Sequence, residues 1–258
     1  MNVVLSTLNS KFIHSSLALR YLKAYGEAHG QAYDIVEYTI NMPVLYILSD
    51  ITEHDIDVLG FACYIWNIEM TLHVVDMVKA VRPDIKIVLG GPEVSFTADE
   101  LLERCPNIDY IVQGEGEEAF HDLVTALQLG NDGLDPVIPG VRGRRNGSIL
   151  GSAEAVEVRD LSTIPFPYTE EDMEDLEHKI IYYESSRGCP FSCQYCLSGN
   201  KNTVRFFPQA RTLEELQWFI DHGVKQVKFV DRTFNCAPHH HRPVSYTHLR
   251  AHETVLDL

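Results

Sequence analysis

The chain has 258 residues, 45% hydrophobic and 22% charged, which suits one large or two ordinary globular domains and excludes collagen, coiled coil and wholesale disorder. With 37 acidic against 21 basic residues, the net charge of −16 opposes a nucleic-acid-binding surface through long-range repulsion. There is no apolar run of membrane-spanning length, and Met1-Asn2-Val3-Val4-Leu5 has neither a basic flank nor a cleavage pattern. With six cysteines in such a chain, a cytoplasmic, reducing setting without membrane contact is predicted, in which clustered thiols bind metal or do chemistry.

From 1 to 130, short β-rich apolar runs alternate with segments of helical period, the pattern of a parallel sheet covered by helices, so an α/β domain is predicted. Strands are expected over 2–6, 33–38, 58–63, 86–89 and 110–112. Between them, Leu17, Tyr21, Tyr25 and Ala28 recur at helical spacing before Gly30, and Met70, Val74, Met77, Val78 and Val81 do so before Pro83. Phe120, Leu123, Val124 and Leu127 repeat the pattern before Gly130. Helical period alone accounts for the Met and aromatic residues on these stripes, which are therefore assigned to the core.

Residues 131–178 turn to Gly and Pro clusters, an Asn146-Gly147 pair and the acidic run 170–177, which predicts a linker with one hairpin. A strand over 179–184, a cysteine cluster, a helix from Thr212 with Glu215 as capping-box partner, and a strand over 226–230 then open a second βαβ unit.

The cluster Cys189-Pro190-Phe191-Ser192-Cys193-Gln194-Tyr195-Cys196 sets three cysteines at C-x-x-x-C-x-x-C. Thiolates are soft, strongly donating ligands, and three on one tight loop can hold three irons of a 4Fe-4S cube while leaving the fourth open to a substrate. A zinc or electron-transfer site would want a fourth protein ligand nearby, and the next cysteine, Cys236, lies forty residues on. With the aromatic Tyr195 just before its third cysteine, the loop resembles the signature of the radical S-adenosylmethionine (SAM) superfamily. That resemblance implies that Cys189, Cys193 and Cys196 ligate the cluster and that SAM chelates the open iron. One electron, supplied through a flavodoxin or ferredoxin, then cleaves the sulfonium to a 5′-deoxyadenosyl radical. Tyr195 corresponds to the position beside the SAM adenine, and Asp231, after the next strand, either meets the SAM methionine moiety or caps a helix.

In the N-terminal part, Lys86-Ile87-Val88-Leu89-Gly90-Gly91-Pro92 and Asp109-Tyr110-Ile111-Val112-Gln113-Gly114-Glu115-Gly116 are strands running into glycine turns. Ligands sit beyond strand ends in open α/β sheets, and a residue without Cβ lets the backbone approach a bulky ligand. Together with the cysteine loop, these turns resemble the cobalamin-binding domain that precedes the barrel in one large class of radical SAM enzymes. The likeness spans residues 1–238 and places Ser6, Tyr64, Gly90, Gly91, Pro92, Gly114 and Glu115 around a corrinoid. The D-x-H-x-x-G motif that supplies a histidine to cobalt in cobalamin-dependent methyltransferases is absent; His14, flanked by Phe12 and Leu17, reads as a residue of the helix start. Only Cys63 and Cys105 stand in the N-terminal part, which disfavours the methylthiotransferase branch with its second cluster, and Cys63 reads as core.

After Pro238, periodicity is lost, and 243–254 resembles a translated sequencing adapter, so 239–258 is expected to be an unstructured artefactual tail. The expected organisation is a Rossmann-like cobalamin-binding-type domain over 1–130, the linker over 131–178 and the start of a radical SAM (β/α) partial barrel over 179–238. The expected function is a radical SAM enzyme using a 4Fe-4S cluster, SAM and cobalamin on an unidentified small-molecule substrate, with methyl transfer as one outcome; the truncated chain itself is expected to be inactive. A radical SAM enzyme without cobalamin, and a corrinoid or iron–sulfur binding module without turnover, remain as alternatives.

Overall fold

The computed structural model describes residues 1–194, 196, 203–234 and 236. The chain divides into two compact units, Met1–Val158 with Ile164–Tyr168, and Arg159–Thr163 with the described residues from Thr169 on. The expected tail, 239–258, lies outside the described residues. Among the described residues no helix is long and apolar enough to cross a membrane.

In the first unit, five parallel strands, β1 (Val3–Asn9), β2 (Asp34–Thr39), β3 (Val58–Ala62), β4 (Lys86–Gly90) and β5 (Tyr110–Val112), are joined through α1 (Leu17–Ala28), α2 (Val44–Glu53), α3 (Ile68–Val81) and α4 (Ala98–Arg104). Helix α5 (Gly116–Gln128) follows β5, and β6 (Val141–Arg145) and β7 (Ser148–Gly151) add an antiparallel hairpin to give the order β2-β1-β3-β4-β5-β6-β7. All seven residues of β1 are buried because helices cover both faces of the sheet. On one face Val3, Leu5, Val58 and Val112 pack with Leu19, Phe120 and Leu123. On the other, Val4, Leu8, Leu59 and Ile87 pack with Ile47, Val74, Val78 and Leu102. Burying an aliphatic side chain of this kind is worth about 1.5–3 kcal/mol.

The chain passes from β1 to β2 on one side and then to β3 on the other, so the carboxyl ends of β1 and β3 form the topological switch point where α/β sheets bind ligands.

Several elements depart from the sequence reading. Strand β1 runs on to Asn9 because Thr7 is satisfied inside the sheet, its Oγ1 donating to the Ala62 carbonyl at 2.9 Å. Helices α2 and α4 were not expected. The first lies in an apolar run after Pro43, and the second has seven residues with an acidic first turn. The hairpin expected in the linker forms at Asn146-Gly147, both at positive φ (51° and 82°), as in the tight turns that match strand twist. It is part of the main sheet: Gly143 pairs with Tyr110 and Val141 with Val112.

In the second unit, α6 (Asp172–Leu176) occupies the acidic run, and β8 (Ile181–Tyr183) leads to β9 (Ser186–Gly188), which pairs antiparallel with β10 (Val204–Phe206). Helix α7 (Gln209–Asp221) then returns the chain to β11 (Val227–Phe229), parallel to β8, so a βαβ unit is present. The helix starts at Gln209 behind Pro208, three residues before the expected Thr212. Thr212 is already inside the first turn, its Oγ1 donating to the Pro208 carbonyl at 3.4 Å. Glu215 does not close a capping box; it accepts from the Tyr183 hydroxyl at 2.6 Å and pairs with Arg211 at 2.6 Å. Burial, followed by this carboxylate, pushes the Tyr183 phenol well above its ordinary value.

Candidate functional site

At the carboxyl edge of the parallel strands, the loop after β3 is the most heavily braced. Asn67, buried just before α3, accepts from the Tyr64 N–H at 2.7 Å and donates through Nδ2 to the Leu8 and Ala62 carbonyls at 3.2 and 3.1 Å. This side chain holds the ends of β1 and β3 together with the loop between β3 and α3. The loop presents Tyr64 and Trp66 as a parallel stack, ring centroids 4.5 Å apart and planes within 4°. Sequence reasoning selected Tyr64 and missed both Asn67 and Trp66. Asn67 carries the ordinary signal of a helix start, which hides its second role.

The turn after β4 is drawn against the end of β3 by hydrogen bonds from the Cys63 N–H to the Gly90 carbonyl (2.7 Å) and from the Glu93 N–H to the Cys63 carbonyl (3.5 Å). Gly91 has φ +104°, and a Cβ there would lie 2.6 Å from the Cys63 carbonyl oxygen, so only glycine fits. At Gly90 a Cβ would meet nothing closer than the Val112 carbonyl at 3.7 Å. Ser95 Oγ donates to the Gly91 carbonyl at 2.8 Å and accepts from the Gly114 N–H at 3.1 Å, joining the loops after β4 and β5. Pro92 is exposed beside them.

Gly114 and Glu115 have partners within the chain. A Cβ on Gly114 would overlap the Val156 carbonyl, and Glu115 donates its N–H to that carbonyl at 2.9 Å while its Oε2 accepts from the Val158 N–H at 2.8 Å. Ser6 lies within β1 at 0% exposure, and its hydroxyl has no hydrogen-bond partner among the described residues. Cys63 is buried in the core, and burial pushes its thiol pKa up, so it stays protonated.

Seven large apolar or aromatic side chains emerge exposed from segments at this edge: Phe12 and Ile13 after β1, Leu45 and Tyr46 in the first turn of α2, Ile65 and Trp66 after β3, and Phe96 after β4. Water-facing apolar groups gathered at one end of a sheet mark a binding surface. The apolar rim, the aromatic stack and the sterically undemanding turn at Gly90 suit a broad, flat macrocycle such as a corrin ring. A shallow concavity of about 490 Å³ opens at the other ends of the strands, against Lys86, Tyr110, Leu127, Asp132 and Arg145. Its charges Arg145 and Asp132 are already paired with each other, and it lacks the strand-end geometry.

In the second unit, the three cysteines follow β9 on one loop. Cys189 is half-buried and Cys193 and Cys196 are exposed, with the Cys196 N–H donating to the Cys193 carbonyl at 3.0 Å. The thiols do not converge: among the described residues no three His, Cys, Asp or Glu side chains form a ligating group. The donor set itself, three accessible soft sulfurs within eight residues, fits an iron–sulfur cluster that leaves one iron free. The Thr233 hydroxyl donates to Cys189 Sγ at 3.4 Å. That bond first, and the Phe191 backbone N–H second, hold the Cys189 thiol below its usual range and favour the ligating thiolate.

Among the described residues Asp231 caps no helix; its carboxylate accepts from the Ser185 N–H at 3.1 Å and from the Ser185 and Ser186 hydroxyls at 2.7 and 2.5 Å. The end of β11 is thereby clamped to the junction of β8 and β9. Tyr195 lies outside the described residues.

Residues 3–124 match the B12 binding domain family. The chain is 32% identical over 231 residues to the cobalamin-dependent radical SAM methyltransferase TokK of Streptomyces tokunonensis, covering 85% of this chain and 34% of that protein. It is 31% identical over 195 residues to the 2-(S-pantetheinyl)-carbapenam-3-carboxylate methyltransferase of Streptantibioticus cattleyicolor, covering 71% and 28%. Among solved structures, the cobalamin-dependent SAM radical enzyme OxsB, with aqua-cobalamin and SAM bound, superposes with a TM-score of 0.74 at 19% identity, over 90% of this chain and 34% of that one. That likeness is one of fold. The chain spans about a third of the length of the curated relatives it matches.

Proposed function

We propose that this chain, a member of the cobalamin-binding-domain radical SAM proteins through the B12 binding domain at residues 3–124, carries the corrinoid site and the cluster loop of a methyltransferase acting on an unactivated carbon of a small molecule. The observation that carries the reading is the conjunction, on one chain, of an apolar strand-end edge beside the Gly90-Gly91 turn and a loop of three accessible thiols. When bound, the cluster supplies the electron that cleaves SAM, and the corrinoid carries the methyl group.

The chain's own residues hold and orient these groups. Gly90, Gly91 and Pro92 would receive the corrinoid at the strand-end turn, and the Tyr64–Trp66 stack would supply an apolar wall that excludes water. Gly114 and Glu115 act one step behind, fastening residues 156–158 to the sheet, and Ser6 is buried within β1. Cys189, Cys193 and Cys196 would ligate three irons, the family resemblance assigns Tyr195 to the SAM adenine, and Asp231 fixes the strand end beside the loop. A flavodoxin or ferredoxin supplies the electron.

Two measurements test this. Anaerobic reconstitution with iron and sulfide should give about four irons per chain, lost in the combined Cys189→Ala, Cys193→Ala, Cys196→Ala variant. Titration with cob(II)alamin should saturate at one corrinoid per chain, with no nitrogen hyperfine splitting that vanishes in His14→Ala. Full iron retention by the triple variant sinks the cluster assignment, and absence of corrinoid binding sinks the other half.

A further inference from the structure

We propose that Thr233 is a positioning residue for the iron–sulfur cluster, its hydroxyl donating a hydrogen bond to the Cys189 ligand and raising the potential at which the cluster is reduced. The geometry is direct: Thr233 Oγ1 lies 3.4 Å from Cys189 Sγ, across 44 residues of sequence. Such a contact between a strand-end turn and a ligand loop is not imposed by local chain connectivity. It is also supported from behind. Asp231, two residues earlier, is fixed by the Ser185 N–H and by the hydroxyls of Ser185 and Ser186. The turn carrying Thr233 and the strand leading into Cys189 are therefore held by the same carboxylate, and the donor is set in place before any metal arrives.

The chemical consequence follows from charge. Reduction of the cluster from its 2+ to its 1+ state adds one electron, makes and breaks no bond, and increases the negative charge on the ligand sulfurs. A hydrogen bond to one of those sulfurs is strengthened by that charge and so favours the reduced state. Ligand-supporting hydrogen bonds of this kind tune a metal centre without touching it. Thr233 is suited to the role because its methyl group can pack while its hydroxyl donates, and valine reproduces its shape without the donor.

This inference rests on the cluster reading above, and the test separates the two. The wild-type chain, Thr233→Val, Thr233→Ala and Thr233→Ser are reconstituted anaerobically with iron and sulfide and analysed for iron. Each is then titrated with dithionite while the electron-spin signal of the reduced cluster is followed. The expected result is equal iron in all four, a midpoint displaced to more negative potential in Thr233→Val and Thr233→Ala, and a wild-type midpoint in Thr233→Ser. Loss of iron from Thr233→Ala with retention in Thr233→Ser also supports the positioning role, since the hydroxyl alone separates those two variants. A wild-type midpoint in Thr233→Val, or a displacement in Thr233→Ser as large as in Thr233→Val, overturns it. Iron missing from the wild type overturns the cluster reading and this inference with it.

Discussion

Gly90 and Gly91 are neighbours in sequence but answer to different constraints. At Gly91 the chain itself demands glycine, through a φ of +104° and the Cys63 carbonyl 2.6 Å from where a Cβ would stand. At Gly90 it does not, because a Cβ would find only ordinary contact with Val112 at 3.7 Å. Gly91→Ala should therefore destabilise the first unit by about 1–3 kcal/mol, lowering its urea midpoint. Gly90→Ala should leave that midpoint in place and weaken cob(II)alamin binding by about tenfold, the effect of roughly 1.4 kcal/mol of lost fit. If Gly90→Ala binds corrinoid as the wild type does, the ring does not sit on this turn. Sequence reasoning selected both glycines together because the residue type signals a close approach without saying what approaches. The same blindness covers Gly114, whose close neighbour is Val156 of the same chain, and Asn67, whose four hydrogen bonds reach residues as far as 60 positions away.

Among the elements, the contact between α1 and α5 contains a titratable cluster that no periodicity announces. His29, at the end of α1, stacks on Tyr25 with centroids 4.2 Å apart, and the ring of His121 from α5 lies 5.1 Å from His29. Burial, and secondly the proximity of His29, hold the His121 pKa below its ordinary value, with Asp122 opposing more weakly. The folded state thus disfavours the protonated ring, whereas an unfolded chain accepts the proton near pH 6.5. As pH falls below about 6.5 the unfolded state binds more protons and stability drops; above it the penalty disappears. Denaturation of His121→Gln compared with the wild type from pH 7.5 to 5 should show a shallower loss for the variant, and parallel profiles would refute this. Two-sided buried strands such as β3 and β5 were legible in the sequence because continuous apolar runs bounded by turns leave few alternatives. Helices α2 and α4 were not, since the first reads as a continuous apolar run and the second has only seven residues.

On the scale of the whole molecule, the decisive element is the hairpin of β6 and β7. Read as sequence, the Gly- and Pro-rich stretch that begins at 131 is a linker, which would end the first domain near 130. In the fold the hairpin closes the sheet. Val141 is fully buried opposite Val112, and Gly143 lies under the Tyr110 ring, where a Cβ would come within 2.6 Å. Arg142 grips Asp99 through two hydrogen bonds of 2.6 and 2.8 Å. These long-range contacts were invisible to local composition, because a turn-rich segment has the same residues whether or not a neighbouring strand accepts it. The first unit also takes in Ile164 and Tyr168, both buried. Proteases cut where backbone can open locally, and backbone paired in a sheet between buried side chains opens last. Limited proteolysis of the full chain with intact-mass readout should therefore give a resistant fragment ending beyond Tyr168, with first cuts in the exposed acidic segment around Glu170 and Glu171. A stable fragment ending between 130 and 140 would show instead that the hairpin detaches from the sheet, and that the cobalamin-binding-type domain holds its fold without β6 and β7.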